Sequence, residues 1–304
     1  MHRSDTNRAH HAVDHVHSLA SSTPTSLADV LARARVTVTF HPDRPGQDGR
    51  TAAAGMAADG VYRTQFETGT SSGGLESVLR GARSGWERVM FAGAYDGAAP
   101  AERPRYGGLD LLPYPNGACP RFGSTHLRLR SHVLNRCTFS WGDSVTEPSA
   151  VGTWDRLGRV LAAAASAGAP EVSGRARVGA DRVDGDIIEA QVHGGLHLRD
   201  VEAVVTDPAY RGTAVEHDLR HACERFGARL EWHTGYALPA ADLDPEFRGP
   251  EPIELARAIA ERFARDALDP ELLGRAAAAM AVDPQHLKYV WHHLAAFGYP
   301  AHRA

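Results

Sequence analysis

Two hydrophobic periods divide the chain. Stretches that alternate with a period of two read as strands, and stretches with apolar positions three and four apart read as helices. Ser26 caps a short helix, SLADVLARAR, with Leu27, Val30 and Leu31 on one face. VTVTFHPDR then places β-branched residues at alternate positions up to His41-Pro42, which predicts a strand. GVYRTQF alternates in the same way, with Val61, Arg63 and Gln65 on one side and Tyr62, Thr64 and Phe66 on the other. A helix carrying Trp86 over Ser84 to Met90 follows, then a loop over Tyr95 to Pro104. RPRYGGLDLL, RFGSTHLRLR and RCTFSWGD are further strands, and the turn-rich PYPNGACP joins the first two. A helix over about 152–167 comes next. DIIEAQVHGGLHL then reads as a strand, a Gly194-Gly195 turn and a return strand, and DVEAVVTDPAY as a buried strand. Thr213 and Glu216 form a capping box for a helix that ends before Gly227. Three amphipathic helices close the chain, announced by Glu251-Pro252, Asp269-Pro270 and Asp283-Pro284.

This pattern divides the chain into a polar, His-rich tail over 1–25, a core over 26–240 and a C-terminal helical lobe over 241–304. The tail is expected to be mobile or a short surface helix. His11, His15 and His17 could share a helical face that holds metal, but a solvated face explains them more simply. The fold class expected is α+β, with two small, mostly antiparallel sheets meeting at a cleft and helices at both ends.

Composition changes this picture little. At 304 residues with 43% hydrophobic and 23% charged content, the chain has the make-up of a soluble globular protein. A formal charge of -4 gives no reason to expect nucleic acid or an anionic membrane as a partner. Lys288 is the single lysine among 33 basic residues, a bias expected of a GC-rich genome. Three cysteines without CxxC spacing support neither a disulfide framework nor a zinc ribbon. No apolar run approaches the roughly 20 residues of a membrane helix. The N-terminus has no apolar core of a Sec signal peptide, so the expected setting is the bacterial cytoplasm, or a host cytosol reached by specialised secretion.

Three segments could carry chemistry. Thr68 to Gly74 offers hydroxyls and glycines without a charge, next to Arg63, which suits an anion gripped by guanidinium and backbone N–H groups. No Walker lysine and no GxGxxG spacing accompany it. In a strand, Glu189 and Gln191 would project together into one pocket, where a carboxylate can stabilise a cationic sugar. Arg121-Phe122-Gly123-Ser124-Thr125 would let a flat ring or sugar approach the backbone. Each segment also reads as an ordinary turn, strand face or bulge. Ser140 and Asp143 lack a GxSxG elbow, which argues against a serine hydrolase. His217, His221 and Cys223 have metal-like spacing but no evident further ligand, so no metal is expected. The strand–helix–strand around Arg211-Gly212-Thr213 resembles the coenzyme A segment of N-acetyltransferases, with only one glycine of its pyrophosphate loop.

Arginine, then Ser-Thr, then a strand-borne Glu-x-Gln is the order of motifs in ADP-ribosyltransferases. The phrases TVTFHPDR, GVYRTQFETGTSSGGL, WERVMFAGAY, RPRYGGLDL, PRFGSTHLRL, RCTFSWGDS, IEAQVHGG and VEAVVTDPAYRGT are more specific. They resemble a bacterial family of domains of unknown function, number 3626, that includes effectors of the CteC type, which ADP-ribosylate ubiquitin on threonine. The resemblance runs from about residue 36 to 213, and VWHHLAAFG extends it into the C-terminal lobe. It implies an ADP-ribosyltransferase-like split β-sandwich core that transfers ADP-ribose from NAD, as co-substrate, to a protein hydroxyl with release of nicotinamide; ubiquitin is one such acceptor. It also implies that Arg63 holds an NAD phosphate and that Ser124 supports the nicotinamide–ribose pocket. Gln65, Thr68, Gly69, Ser71, Ser72 and Gly73 would line the co-substrate site together with Tyr106, Arg121, Phe122 and Gly123. Glu189 and Gln191 would be the catalytic pair, with His193 a further group to orient the acceptor. Gln191 stands where most such enzymes carry the catalytic glutamate. Either Glu189 does the carboxylate's work or the motif register differs, and Thr138-Phe139-Ser140 competes with Ser124-Thr125 for the Ser-Thr-Ser position. A catalytically inactive binding module of the same fold is the alternative reading.

Overall fold

The structure, a computed structural model, describes residues 3–69 and 82–300. Eight strands form one sheet: β1 (Arg35–Phe40), β2 (Arg105–Asp110), β3 (Thr125–Leu129), β4 (Cys137–Trp141), β5 (Val151–Thr153), β6 (Ile188–Val192), β7 (Val201–Thr206) and β8 (Arg229–Trp232). Their spatial order is β5-β4-β6-β2-β1-β3-β7-β8, and every pairing is antiparallel except β7 with β8. A separate two-stranded antiparallel ladder pairs β9 (Leu238–Pro239) with β10 (Ala267–Leu268). The fold is therefore α+β with a mostly antiparallel sheet. Instead of two separate sheets there is one, because β1 bonds to both β2 and β3.

The helices are α1 (Arg3–Leu19), α2 (Ala28–Arg33), α3 (Ala52–Asp59), α4 (Gln65–Thr68), α5 (Ala82–Met90), α6 (Gly158–Ser166), α7 (Asp181–Asp184) and α8 (Ala214–Phe226). α9 (Pro245–Arg248), α10 (Glu251–Phe263), α11 (Pro270–Ala279) and α12 (Pro284–Phe297) complete the chain. Alternation along the strands sends Val36, Val38, Leu127, Leu129, Ala190 and Val192 to one face of the sheet. They form a core there with Met56 of α3, Leu161 of α6 and Leu219 of α8. Each such large apolar side chain contributes about 1.5–3 kcal/mol on burial. The C-terminal helices surround a second core with Leu272, Val290, Trp291 and Leu294. Trp291 ties this core to the sheet: its Nε1 donates to the carbonyls of Pro120 at 3.1 Å and Arg121 at 3.2 Å.

Several local expectations differ. The GVYRTQF segment is not a strand: Val61 makes one isolated bridge to His197, and Gln65 to Thr68 turn into α4. Thr64 and Glu67 form a reciprocal capping box, a local signal that overrides the alternation. No return strand follows Gly194-Gly195, since both glycines have positive φ and the chain turns into a 3₁₀ segment, Leu198–Asp200. The helix expected from about 152 starts at Gly158, after β5. At α8 the cap is Thr213, but the Glu216 carboxylate accepts from Gly212 N–H at 2.7 Å rather than from the cap residue. The His-rich N-terminal segment is a helix whose Ala12 and Val16 are buried against Phe91, Tyr95 and Val151.

Candidate functional site

The centre of the sheet is offset. β1 and β2 pair only from Arg35↔Asp110 to Thr37↔Gly108. Beyond that seam β1 continues along β3, from Thr37 to Phe40, and β2 continues along β6, from Gly108 back to Arg105. Two glycines permit this arrangement. A Cβ on Gly107 would lie 2.4 Å from the Thr37 carbonyl oxygen, and one on Gly123 would lie 2.1 Å from the Phe40 carbonyl carbon. Both are places where backbone meets backbone and no side chain fits.

Where the strands diverge, a cavity of about 580 Å³ opens. That volume lies within the ~300–1,000 Å³ range of small-molecule and cofactor sites. Thr39, Phe40 and His41 line it from β1 and its end, and Arg105, Tyr106 and Gly107 from β2. Glu189 of β6 also lines it and is 7% exposed. Burial pushes the thiol of Cys119, another lining residue, up to about 12, so it stays protonated. Burial, with Arg44 and His292 nearby, holds His41 well below the usual histidine value and leaves it neutral.

Behind Glu189 runs a buried chain of hydrogen bonds. Gln191 Nε2 donates to Glu189 Oε1 at 2.9 Å and to Ser140 Oγ at 3.1 Å. Its Oε1 accepts from Thr138 Oγ1 at 2.8 Å. Thr138 Oγ1 is also 2.9 Å from His193 Nε2, and Tyr95 Oη is 2.6 Å from His193 Nδ1. One assignment satisfies every member: Tyr95 donates to Nδ1, His193 donates from Nε2, and Thr138 donates to Gln191. This requires neutral His193, and burial, with Arg136 adding to it, lowers that group to about 3. β4 supplies Thr138 and Ser140 because it pairs with β6 in register, Thr138↔Gln191 and Ser140↔Glu189.

The sequence-predicted residues are only partly brought together. Arg63, Gln65, Thr68, Tyr106, Phe122 and Glu189 line the cavity. Gln191 does not; it is fully buried behind Glu189. The Arg63 guanidinium is held by Asp48, at 2.7 Å, and by Asp59. Gly69 ends α4 in the left-handed conformation, and Ser71, Ser72 and Gly73 lie outside the described residues. Arg121 stacks over Phe122 and pairs with Asp143 at 3.6 Å. Gly123 is packed on Phe40. Ser124 is 2% exposed and turned away from the cavity, its Oγ 3.1 Å from Tyr210 Oη. Thr138 and Ser140, rather than Ser124 and Thr125, thus adjoin the Glu-x-Gln strand.

Sequence reasoning missed His41, Arg44 and Cys119 in the cavity wall. Their signal was position: His41 and Arg44 follow directly on β1, where a central strand ends at the split. Among the described residues, the Arg44 guanidinium takes no hydrogen bond or ion pair, although the Asp43 carboxyl beside it offsets part of its charge. No group of three potential metal-ligating side chains converges among the described residues.

The sequence model of a family described as "Protein of unknown function (DUF3626)" matches residues 35–169 and 171–296. The "Gene 2 protein" of Mycobacterium phage L5 is 26% identical over 158 residues, covering 48% of this chain and 58% of that protein. The match thus spans little more than half the length of that relative.

Proposed function

The chain belongs to the DUF3626 family of proteins of unknown function, and within it we propose that this member moves ADP-ribose from NAD to a protein hydroxyl, releasing nicotinamide. The observation that carries this reading is Glu189, the one buried carboxylate among the described residues that line the cofactor-sized cavity at the split between β1 and β2. In this reading the split plays the part of the cleft in an ADP-ribosyltransferase-like split β-sandwich. Cleavage of the nicotinamide–ribose bond develops positive charge on the sugar, and a fixed carboxylate beside it lowers that barrier. Gln191 is a positioning residue here. Its amide N–H donates to Glu189, which a second carboxylate could not do, so glutamine at 191 fixes the orientation of the Glu189 carboxyl. Phe122 and Tyr106 supply flat walls for a nicotinamide ring. A threonine of ubiquitin is the acceptor that the CteC-type resemblance suggests.

The coenzyme A reading has less room. The helix N-terminus that would receive a pyrophosphate already holds the Glu216 carboxylate. Incubation with labelled NAD, reading nicotinamide release and protein-bound ADP-ribose, tests the transferase. Glu189→Gln should lower turnover about 10²-fold or more. Equal turnover by both forms excludes Glu189, and NAD-induced thermal stabilisation without turnover by the wild type identifies a binding module instead.

A further inference from the structure

Arg63 and Arg105 line the cavity, but both guanidinium groups are engaged. Arg63 is held by two aspartates. Arg105 donates to the carbonyls of Tyr62, Ala101 and Arg103 and lies near Glu67. Two other cations differ. Arg44 stands in the cavity wall, and neither its guanidinium nor the Lys288 ammonium takes a hydrogen bond or ion pair among the described residues.

Lys288 reaches this region because of how α12 docks. One turn beyond it, Trp291 anchors the helix on the carbonyls of Pro120 and Arg121, and its ring meets His41 edge-on at 4.9 Å. Phe122, the next residue of that segment, and His41 are both cavity wall. α12 is therefore held against the Pro120–Phe122 segment at the edge of the cavity, with Lys288 one turn before Trp291 and outside the cavity lining itself. The neighbourhood is felt electrostatically. Burial first, then Arg121, Arg248 and Arg44, lower the Lys288 ammonium below its usual value, while Asp143 acts in the opposite direction. Arg121 is paired with Asp143 and Arg248 with Asp184, which leaves Arg44 and Lys288 as the two cations here without an ion pair among the described residues. Two such charges suit a ligand carrying more than one negative charge.

We propose that Arg44 and Lys288 form a two-point clamp for a pyrophosphate, so that the C-terminal helices contribute directly to ligand binding. This rests on the NAD reading for its ligand, whose pyrophosphate would lie at this margin while the nicotinamide end points toward Glu189. Lys288 is the only lysine in the chain, so its amine can be followed chemically against a single internal control, the α-amino group.

The test is acetylation with acetic anhydride, read peptide by peptide in a mass spectrometer, with and without inorganic pyrophosphate. Pyrophosphate should slow Lys288 modification at least fivefold and leave the α-amine unchanged. By calorimetry, pyrophosphate should bind the wild type at least tenfold more tightly than orthophosphate. Lys288→Gln and Arg44→Gln should each weaken pyrophosphate binding tenfold or more, whereas Lys288→Arg should stay within threefold. Equal modification rates with and without pyrophosphate, or wild-type binding by Lys288→Gln, overturn the clamp. Equal affinity for orthophosphate and pyrophosphate reduces it to a single-anion site and overturns the pairing. Protection by pyrophosphate without nicotinamide release from NAD leaves the clamp standing and removes the transferase.

Discussion

At the scale of single residues, the buried chain from Tyr95 through His193, Thr138 and Gln191 to Glu189 depends on one protonation state. Its central group is a histidine that must stay neutral. His193 has a folded value of about 3 against an ordinary 6.5, so between those limits the unfolded chain takes up a proton that the folded chain refuses. Stability from this group is full above about pH 6.5 and is lost as pH falls toward 3, with a slope of up to about 1.4 kcal/mol per pH unit. Buried Asp43 and Asp207, raised to about 6 mainly by burial, run the other way, losing stability as pH rises through that value. The histidine is therefore read as a difference. The stability advantage of wild type over His193→Gln in urea denaturation should shrink steadily from pH 6.5 to pH 4, and a constant difference would mean that His193 is already charged. The pairing of Glu189 with Gln191 was legible in the sequence because strand alternation puts i and i+2 on one face. That only Glu189 meets the cavity was not legible, since β4 and the 91–98 turn bury the far end of the strand.

At the scale of elements, the strands β1, β2, β3, β4, β6 and β7 and the helices α8, α10, α11 and α12 were all readable from period and caps. What failed was local competition. Arg63 lies in an alternating run, yet Thr64, three residues after the Val61 bridge, closes a capping box with Glu67, and the run becomes a helix. The strand after Gly194-Gly195 failed because a turn with two positive-φ glycines leads only into a 3₁₀ segment. The seam between β1 and β2 was equally hidden, because nothing in a strand's own pattern tells where its neighbour departs. Gly107 marks the place. Gly107→Ala would push a methyl into the Thr37 carbonyl, and it should destabilise the protein by about 1–3 kcal/mol, read as a lower urea midpoint. An unchanged midpoint would show that β1 and β2 can separate there without cost.

At the scale of the whole molecule, the α+β class and the C-terminal group of helices followed from the succession of periods. The continuity of the sheet did not, because long-range pairing leaves no trace in local sequence. The N-terminal helix was under-read for a related reason. Its small apolar residues Ala12 and Val16 look weak in isolation, and only the Phe91–Tyr95 surface gives them a place.

The offset sheet also bears on how the chain acquires its form. About 50 to 90 residues separate the partners in the five central pairings, a distance that makes sheet closure slow. β6 joins β4 to β2, and β7 flanks β3, yet both come after residue 187. A nascent chain that has exposed only its first half holds strands with no finished half-sheet to belong to. Glu189 thus emerges on the very strand that joins β4 to β2, so the carboxylate and the wall it stands in come into being together.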